Sequence, residues 1–334
     1  MLGLFRNNQL YTVFFLALLT VLLRFPAFAG WLDYQPSLPE NAGVLYRLLF
    51  STAIQSSLLS ASLATVLVFS QALLVKWLAN ESRINPDRNW FPALFTIVVM
   101  SSINDFQYLS PALVASTGIP LILQRIFSIH KSNDITLTIF DTGLLIGIAS
   151  LFYLPSLWLT PFFLIAIFSL RTLKLAEVAS YIVAVLTPWI IGWGMDLLFT
   201  QNPPGLDLTV IFNWLTIQPE IIDIHFWVSV VILAIFFSIL LLSASTYYRK
   251  RLIQVQKFNN ILFWLLFGTM LSILFNRVFD FSHILLASSA FGAFLALSFL
   301  SIRNKLVAEV FFFLLLAGIL LGLMPESLSQ YQLI

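Results

Sequence analysis

Arg277, Asp280 and His283 follow one another at spacings of three, so a helical stretch would set all three on one face. An arginine braced by a carboxylate suits a phosphate, because a guanidinium forks onto two oxygens at once. The plainer reading of the same trio is a structural ion pair beside a histidine. Arg24, followed by Phe25-Pro26, and Arg47 offer the same phosphate chemistry. Arg24 could equally snorkel to a membrane interface, and any of the three could bridge to acids on neighbouring segments. Asp33 and Glu40 stand in one polar stretch. A carboxylate held near apolar surface could act as a general base or a metal ligand, whereas in a solvated loop it is only charge, with Glu40 favouring a helix start. Asp105 belongs to the turn pair Asn104-Asp105, followed by Gln107 and Tyr108. These residues form the candidate site: Asp33, Glu40 and Asp105 as acids, Arg24, Arg47 and Arg277 as lipid-phosphate ligands, Asp280 and His283 in support. With no cysteine, and with His130, His225 and His283 scattered, no metal is indicated and no cofactor is expected. No dinucleotide or P-loop glycine fingerprint is present, and nothing points to nucleic acid.

The elements that must position these groups follow from composition. The chain has 334 residues, 60% apolar and 10% charged, with mean hydropathy +0.95. Soluble domains run about 45–50% apolar and about 25% charged, so a cytosolic enzyme and a disordered chain are both excluded. The expected fold is all-α: a polytopic helical membrane protein forming a single integral membrane domain over 1–334, with seven helices in 1–200 and the remainder in 201–334. Eleven apolar segments are expected to cross, near Leu10–Gly30, Ser56–Ala79, Trp90–Ile103, Leu109–Ile129, Ile135–Leu154, Leu157–Leu173, Val178–Thr200, Ile221–Thr246, Phe258–Asn276, Ile284–Ile302 and Val307–Met324. Of 17 basic residues, all but Arg24, Arg47 and Arg277 fall in alternate loops. Basic residues mark the cytoplasmic side, so the N-terminus is placed inside and the C-terminus outside a bacterial inner membrane. The short third segment, with Pro92 near its start, must then cross fully, because a re-entrant loop would invert every later loop. Ala27-Phe28-Ala29 imitates a signal-peptide cleavage site, but Arg24 and Pro26 stand where the approach to a cut should be bland.

Between the spans, Pro39–Ile54 and Leu208–Ile217 read as short helices lying on the outer surface, the first with Val44, Leu45, Leu48 and Leu49 on one face. Asp141, Glu177 and Glu309 read as groups at inner helix starts. The 33 phenylalanines read as packing and lipid-facing surface.

The segment Phe140-Asp141-Thr142-Gly143 through Tyr153-Leu154-Pro155, together with an acidic first external loop carrying Tyr46, resembles the N-terminal module of C-type glycosyltransferases. That resemblance implies a polyprenyl-phosphate sugar donor at the outer face, a catalytic acid at Asp33 or Glu40, and a second acid at Asp105. The first loop has no Asp-x-Asp, Asp-Asp or Asp-Glu pair. The whole chain also resembles a multi-pass inner-membrane family of Bacteroidota, with an Arg-x-Pro near the end of the first helix, which implies a compartment and no activity. Three functions follow as expectations: glycosyl transfer from a lipid-linked donor, a non-catalytic membrane subunit of a secretion, motility or polysaccharide complex, and, last, a transporter. The last is disfavoured because the charges cluster at helix ends rather than at the bilayer midplane.

Overall fold

The computed structural model describes residues 2–6, 9–36, 38–85, 87–129, 134–199, 224–248, 252–276, 280–302 and 304–323. Among them the protein is all-α, its only non-helical pairing a single antiparallel bridge. The helices are α1 (Leu2–Arg6), α2 (Thr12–Leu23), α3 (Phe25–Phe28), α4 (Val44–Phe50), α5 (Ser57–Glu81), α6 (Phe91–Met100) and α7 (Pro111–Ser128). There follow α8 (Ile135–Phe152), α9 (Thr160–Leu170), α10 (Leu175–Phe199), α11 (Ile224–Tyr248), α12 (Ile253–Ser272), α13 (Ser288–Ser301) and α14 (Lys305–Gly322). Each of the eleven apolar segments has a helix among its described residues. Eight are long and apolar enough to cross a membrane by themselves, while Thr12–Leu23, Phe91–Met100 and Leu154–Leu170 are shorter.

The chain punctuates these helices with its own side chains. Ser56, Ser110, Asp134 and Asn304 accept hydrogen bonds from the first turns of α5, α7, α8 and α14, satisfying amides that the helix itself leaves open. Asp141, expected at a helix start, instead lies within α8, 3.7 Å from Arg125, and Asp134 is the cap. Glu177 does sit in the first turn of α10, where its carboxylate takes the amide of Lys174 and, through both oxygens, Arg171 Nη2 at 3.0 and 3.2 Å.

Contacts between remote residues show that the helices run up and down between two common levels. At the level of α1, the Trp90 amide donates to Phe5 at 2.8 Å, Lys76 lies 3.6 Å over the Trp90 ring, and Lys257 donates to the carbonyl of Leu170. At the far level, Arg24 meets Met100, Ser60 takes the amide of Leu109, and Tyr46 donates to the carbonyl of Leu109. The stretch from Trp90 to Leu109 therefore travels from Lys76 to Ser60 along α5. At about 1.5 Å per helical residue, that is about 24 Å. The short α6 thus covers the distance of a long neighbour, helped by the extended turns at its ends. All its ten residues are buried, so its backbone never needs the length that a lipid-facing helix does.

The core centres on the segment Phe281–Ser301, of which 89% is buried. Gly292 makes this approach feasible. A Cβ there would meet Thr96 Oγ1 at 2.1 Å, so α13 and α6 touch backbone to side chain. Gln71, buried within α5, donates to Ser288 Oγ at 2.7 Å and accepts from Ser116 Oγ at 3.0 Å, joining α5, α7 and α13 through one amide. By contrast α11 and α14 are mostly exposed, presenting Trp227, Val231, Phe311 and Leu314 outward, as lipid-facing helices do.

The basic residues separate accordingly. Arg6, Lys76, Arg83, Arg88, Arg125, Arg171, Lys174, Lys257 and Lys305 belong to the α1 level, Arg24 and Arg47 to the far level. The helix predicted over Pro39–Ile54 forms as the shorter α4, with Tyr46 turned inward and Leu49 outward. The helix expected over Leu208–Ile217 lies outside the described residues.

Candidate functional site

The far level holds every described candidate residue; Arg24, Arg47, and Asp280 with His283 each belong to one of three groups of contacts, and Asp33 and Asp105 lie outside them. The first is built on Arg24, which ends α2 and is fully buried. Its Nη1 donates to the carbonyl of Met100 at 3.4 Å, and Nη2 to those of Phe106 at 2.8 Å and Gln107 at 2.5 Å. Gln107 closes the loop by donating to the carbonyls of Ser101 at 2.9 Å and Leu23 at 3.4 Å. The guanidinium is thus held by the irregular backbone after α6, whose carbonyls have no helical partners and need donors. Bridges from Arg24 to acids were one expectation, and the partners here are carbonyls instead.

The second group joins the first loop to the end of α8. Ala42 and Tyr153 form the one bridge, with the Gly43 amide donating to Phe152 at 2.9 Å and the Leu154 amide to Asn41 at 3.2 Å. Only glycine fits at 43, since a Cβ would fall 2.0 Å from the carbonyl oxygen of Leu151. Arg47 braces this junction, its Nε donating to Ala42 at 3.1 Å and its Nη2 to the backbone of Glu40 at 3.5 Å.

The third group surrounds His283, buried between the ends of α8 and α12 and the turn Phe281–Ala287. Ser272 spends its proton on the carbonyl of Thr269 at 2.9 Å, so its oxygen accepts from His283 Nε2 at 2.7 Å. The proton is therefore assigned to Nε2 by this network. Nδ1 is left as acceptor for the Tyr153 hydroxyl at 3.0 Å and Asn276 Nδ2 at 3.1 Å. Asp280 caps the turn, its carboxylate taking both the amide and the hydroxyl of Ser282. Burial pushes the Asp280 carboxyl up, and the Ser282 bonds pull the other way.

Tyr153 links the second and third groups, pairing with Ala42 through its backbone and with His283 through its hydroxyl. Tyr153, Asn276, Ser272 and Gln107 are the residues that sequence reasoning missed. Arg277 lies outside the described residues. Of the acids, Asp33, Glu40 and Asp105 are all exposed. Asp33 adjoins a tyrosine pair: the rings of Tyr34 and Tyr108 meet at 4.5 Å, tilted by 49°, with Tyr34 donating to Ile54 and Tyr108 to Leu32. Burial, then the neighbouring Tyr34 and Asp33, raises the Tyr108 hydroxyl above its ordinary range. The structure therefore brings Arg47, Tyr153, His283 and Asp280 into one chain of contacts. Arg24 stands in a separate one.

Two cavities open at the α1 level. One, of about 270 Å3, lies between the ends of α5, α7 and α12 and includes Glu81, Arg83 and Gln124. The other, of about 210 Å3, lies among α1, α6, α13 and α14. No group of three or more potential metal ligands is present among the described residues. Comparison with protein-family models gives no match, and no curated protein matches the chain.

Proposed function

We propose that the chain is a bacterial inner-membrane protein crossing eleven times, N-terminus inside, that serves as a non-catalytic subunit of an envelope assembly such as secretion, motility or polysaccharide machinery. One observation carries this reading: the buried far-level arginine, Arg24, directs its guanidinium at backbone carbonyls and holds the bundle together. Arg47 does the same at the first-loop junction. A phosphate ligand would have to displace these bonds, leaving buried carbonyls unpaired. The exposed acids Asp33, Glu40 and Asp105 then serve as contact groups for a partner at the outer surface.

The bridge between Ala42 and Tyr153 favours a second reading, glycosyl transfer from a polyprenyl-phosphate donor. It joins the acidic first loop to the Phe140–Pro155 segment, the two features on which the resemblance to C-type glycosyltransferases rests. In that case Asp33 or Glu40 deprotonates the acceptor, Asp105 assists, and Arg47 with Arg277 neutralises the leaving phosphate, while Asp280 and His283 support Arg277. A divalent metal would add to phosphate neutralisation, though no cofactor is required.

Complementation of a deletion strain by the triple variant D33N/E40Q/D105N separates the two. A subunit tolerates loss of these charges together in part or in full, with its abundance unchanged. A transferase loses all function at normal abundance, and that result would reject the subunit reading.

A further inference from the structure

The α1 level presents two exposed cations at one cavity. Arg6, at the end of α1, and Lys305, at the start of α14, are both exposed, and neither makes an ion pair or hydrogen bond among the described residues. They face the same cavity of about 210 Å3. Its wall is apolar, supplied by Leu2, Phe91, Phe299 and Ala308. Two of these rings are fixed from behind by Phe95, at 6.0 Å from Phe91 and 4.4 Å from Phe299, so the wall is preformed. One carboxylate, Glu309, also lines the space, so the rim carries two positive charges against one negative. The cavity therefore keeps a net positive rim over an apolar floor, at a membrane edge.

We propose that this cavity binds the phosphodiester headgroup of an anionic phospholipid, with Arg6 and Lys305 on the phosphate and an acyl chain along Phe91 and Phe299. A compact phosphate suits this pair, one guanidinium and one ammonium, each without a partner among the described residues. A zwitterionic lipid brings its own ammonium, which would meet the two cations and be repelled. A free anion would satisfy the rim and leave the aromatic wall bare. The anionic phospholipid matches both halves of the site, as basic pockets between transmembrane helices commonly do. The proposal is independent of the subunit reading, since it concerns the opposite end of the bundle.

The test uses the full-length chain in a neutral detergent. Dioleoyl-phosphatidylglycerol should raise the melting temperature saturably, by about 4 °C at a hundredfold excess over its dissociation constant. Dioleoyl-phosphatidylcholine and millimolar inorganic phosphate should not. The variant R6Q/K305Q should keep the wild-type melting temperature without lipid, because both side chains are exposed and unpaired, and should lose the increment. Native mass spectrometry of the unmutated chain, offered equal amounts of the two lipids, gives a readout that needs no variant: phosphatidylglycerol should be retained preferentially. Equal stabilisation or retention of both lipids would overturn the proposal, as would an increment that survives in R6Q/K305Q. An increment reproduced by inorganic phosphate alone would reject the lipid as the source of the anion.

Discussion

Replacing Arg24 with lysine is the sharpest probe of what the far-level arginines do. The substitution preserves charge and approximate length but removes the fork that lets Nη1 reach Met100 while Nη2 reaches Phe106 and Gln107. A lysine ammonium at that site can keep the pair of neighbouring carbonyls or the third one, and not both. At least one charge-assisted bond is lost, worth about 1.5–3 kcal/mol, and one buried carbonyl is orphaned at about 1–3 kcal/mol. Partial relaxation of the turn reduces the sum, and a net loss of about 3 kcal/mol is expected. For a chain of 334 residues that is a fall in melting temperature of about 4 °C, read from tryptophan fluorescence of purified protein in detergent. R24M gives an internal check. It forfeits all three bonds but removes a buried charge, whose desolvation costs on the order of several kcal/mol, so it should be no less stable than R24K. If R24K melts with the wild type and accumulates normally while cells lose function, the structural account of Arg24 is wrong and a phosphate role replaces it.

Three further outcomes are expected. Because the chain has no cysteine, single-cysteine variants report sidedness without background. D33C should react with an impermeant maleimide in intact cells and R83C only after lysis, and the reverse would invert the proposed topology. G292A should cost about 1–3 kcal/mol by driving a methyl into Thr96 Oγ1, and the double variant G292A/T96A should recover part of the melting temperature. Asp280 binds its proton more tightly when folded, so its contribution is fully present below the ordinary carboxylate range and is lost as pH rises through the raised native value. D280N should therefore flatten the pH dependence of stability just above the ordinary carboxylate range, where the slope from one group is at most about 1.4 kcal/mol per pH unit, and an unchanged profile would count against burial as its origin.

What the sequence makes legible is whatever is periodic or additive along the chain. Eleven apolar stretches announce helices, and the segregation of Arg6, Lys76, Arg125 and Lys257 from Arg24 and Arg47 survives in the structure as two levels. The spacing argument for Asp280 and His283 does put both in one turn, although their partners come from elsewhere. The site itself is written in contacts that no local pattern encodes. Arg24 reaches carbonyls some eighty positions away, and a carbonyl belongs to every residue alike, so no side-chain pattern points to it. Tyr153 stands in the sequence only as part of the Phe140–Pro155 segment, and its role follows from the contacts that bring His283, Ser272 and Asn276 together. Asp141 misled for a related reason: a capping residue and a mid-helix ion-pair partner are the same residue type, and only the position of Arg125 separates them. The length of α6 misled less than it might have, because full burial frees a helix from the span requirement that lipid contact imposes.

The central place of Phe281–Ser301 has a consequence for the order of events at the ribosome. The slot it fills is formed by α5, α6 and α7, all synthesised far earlier, and Thr96 waits for Gly292 across roughly 200 residues of chain. At about 5–20 residues per second, that interval is about 10–40 s. For that time α6, too short to satisfy a bilayer alone, has Gln71 and Ser116 beside it with Ser288 not yet made. The half-built bundle must be sheltered by lipid, water or an insertase until the late hairpin arrives, so truncation before Ser288 should send the early helices to membrane proteolysis rather than leave a stable fragment.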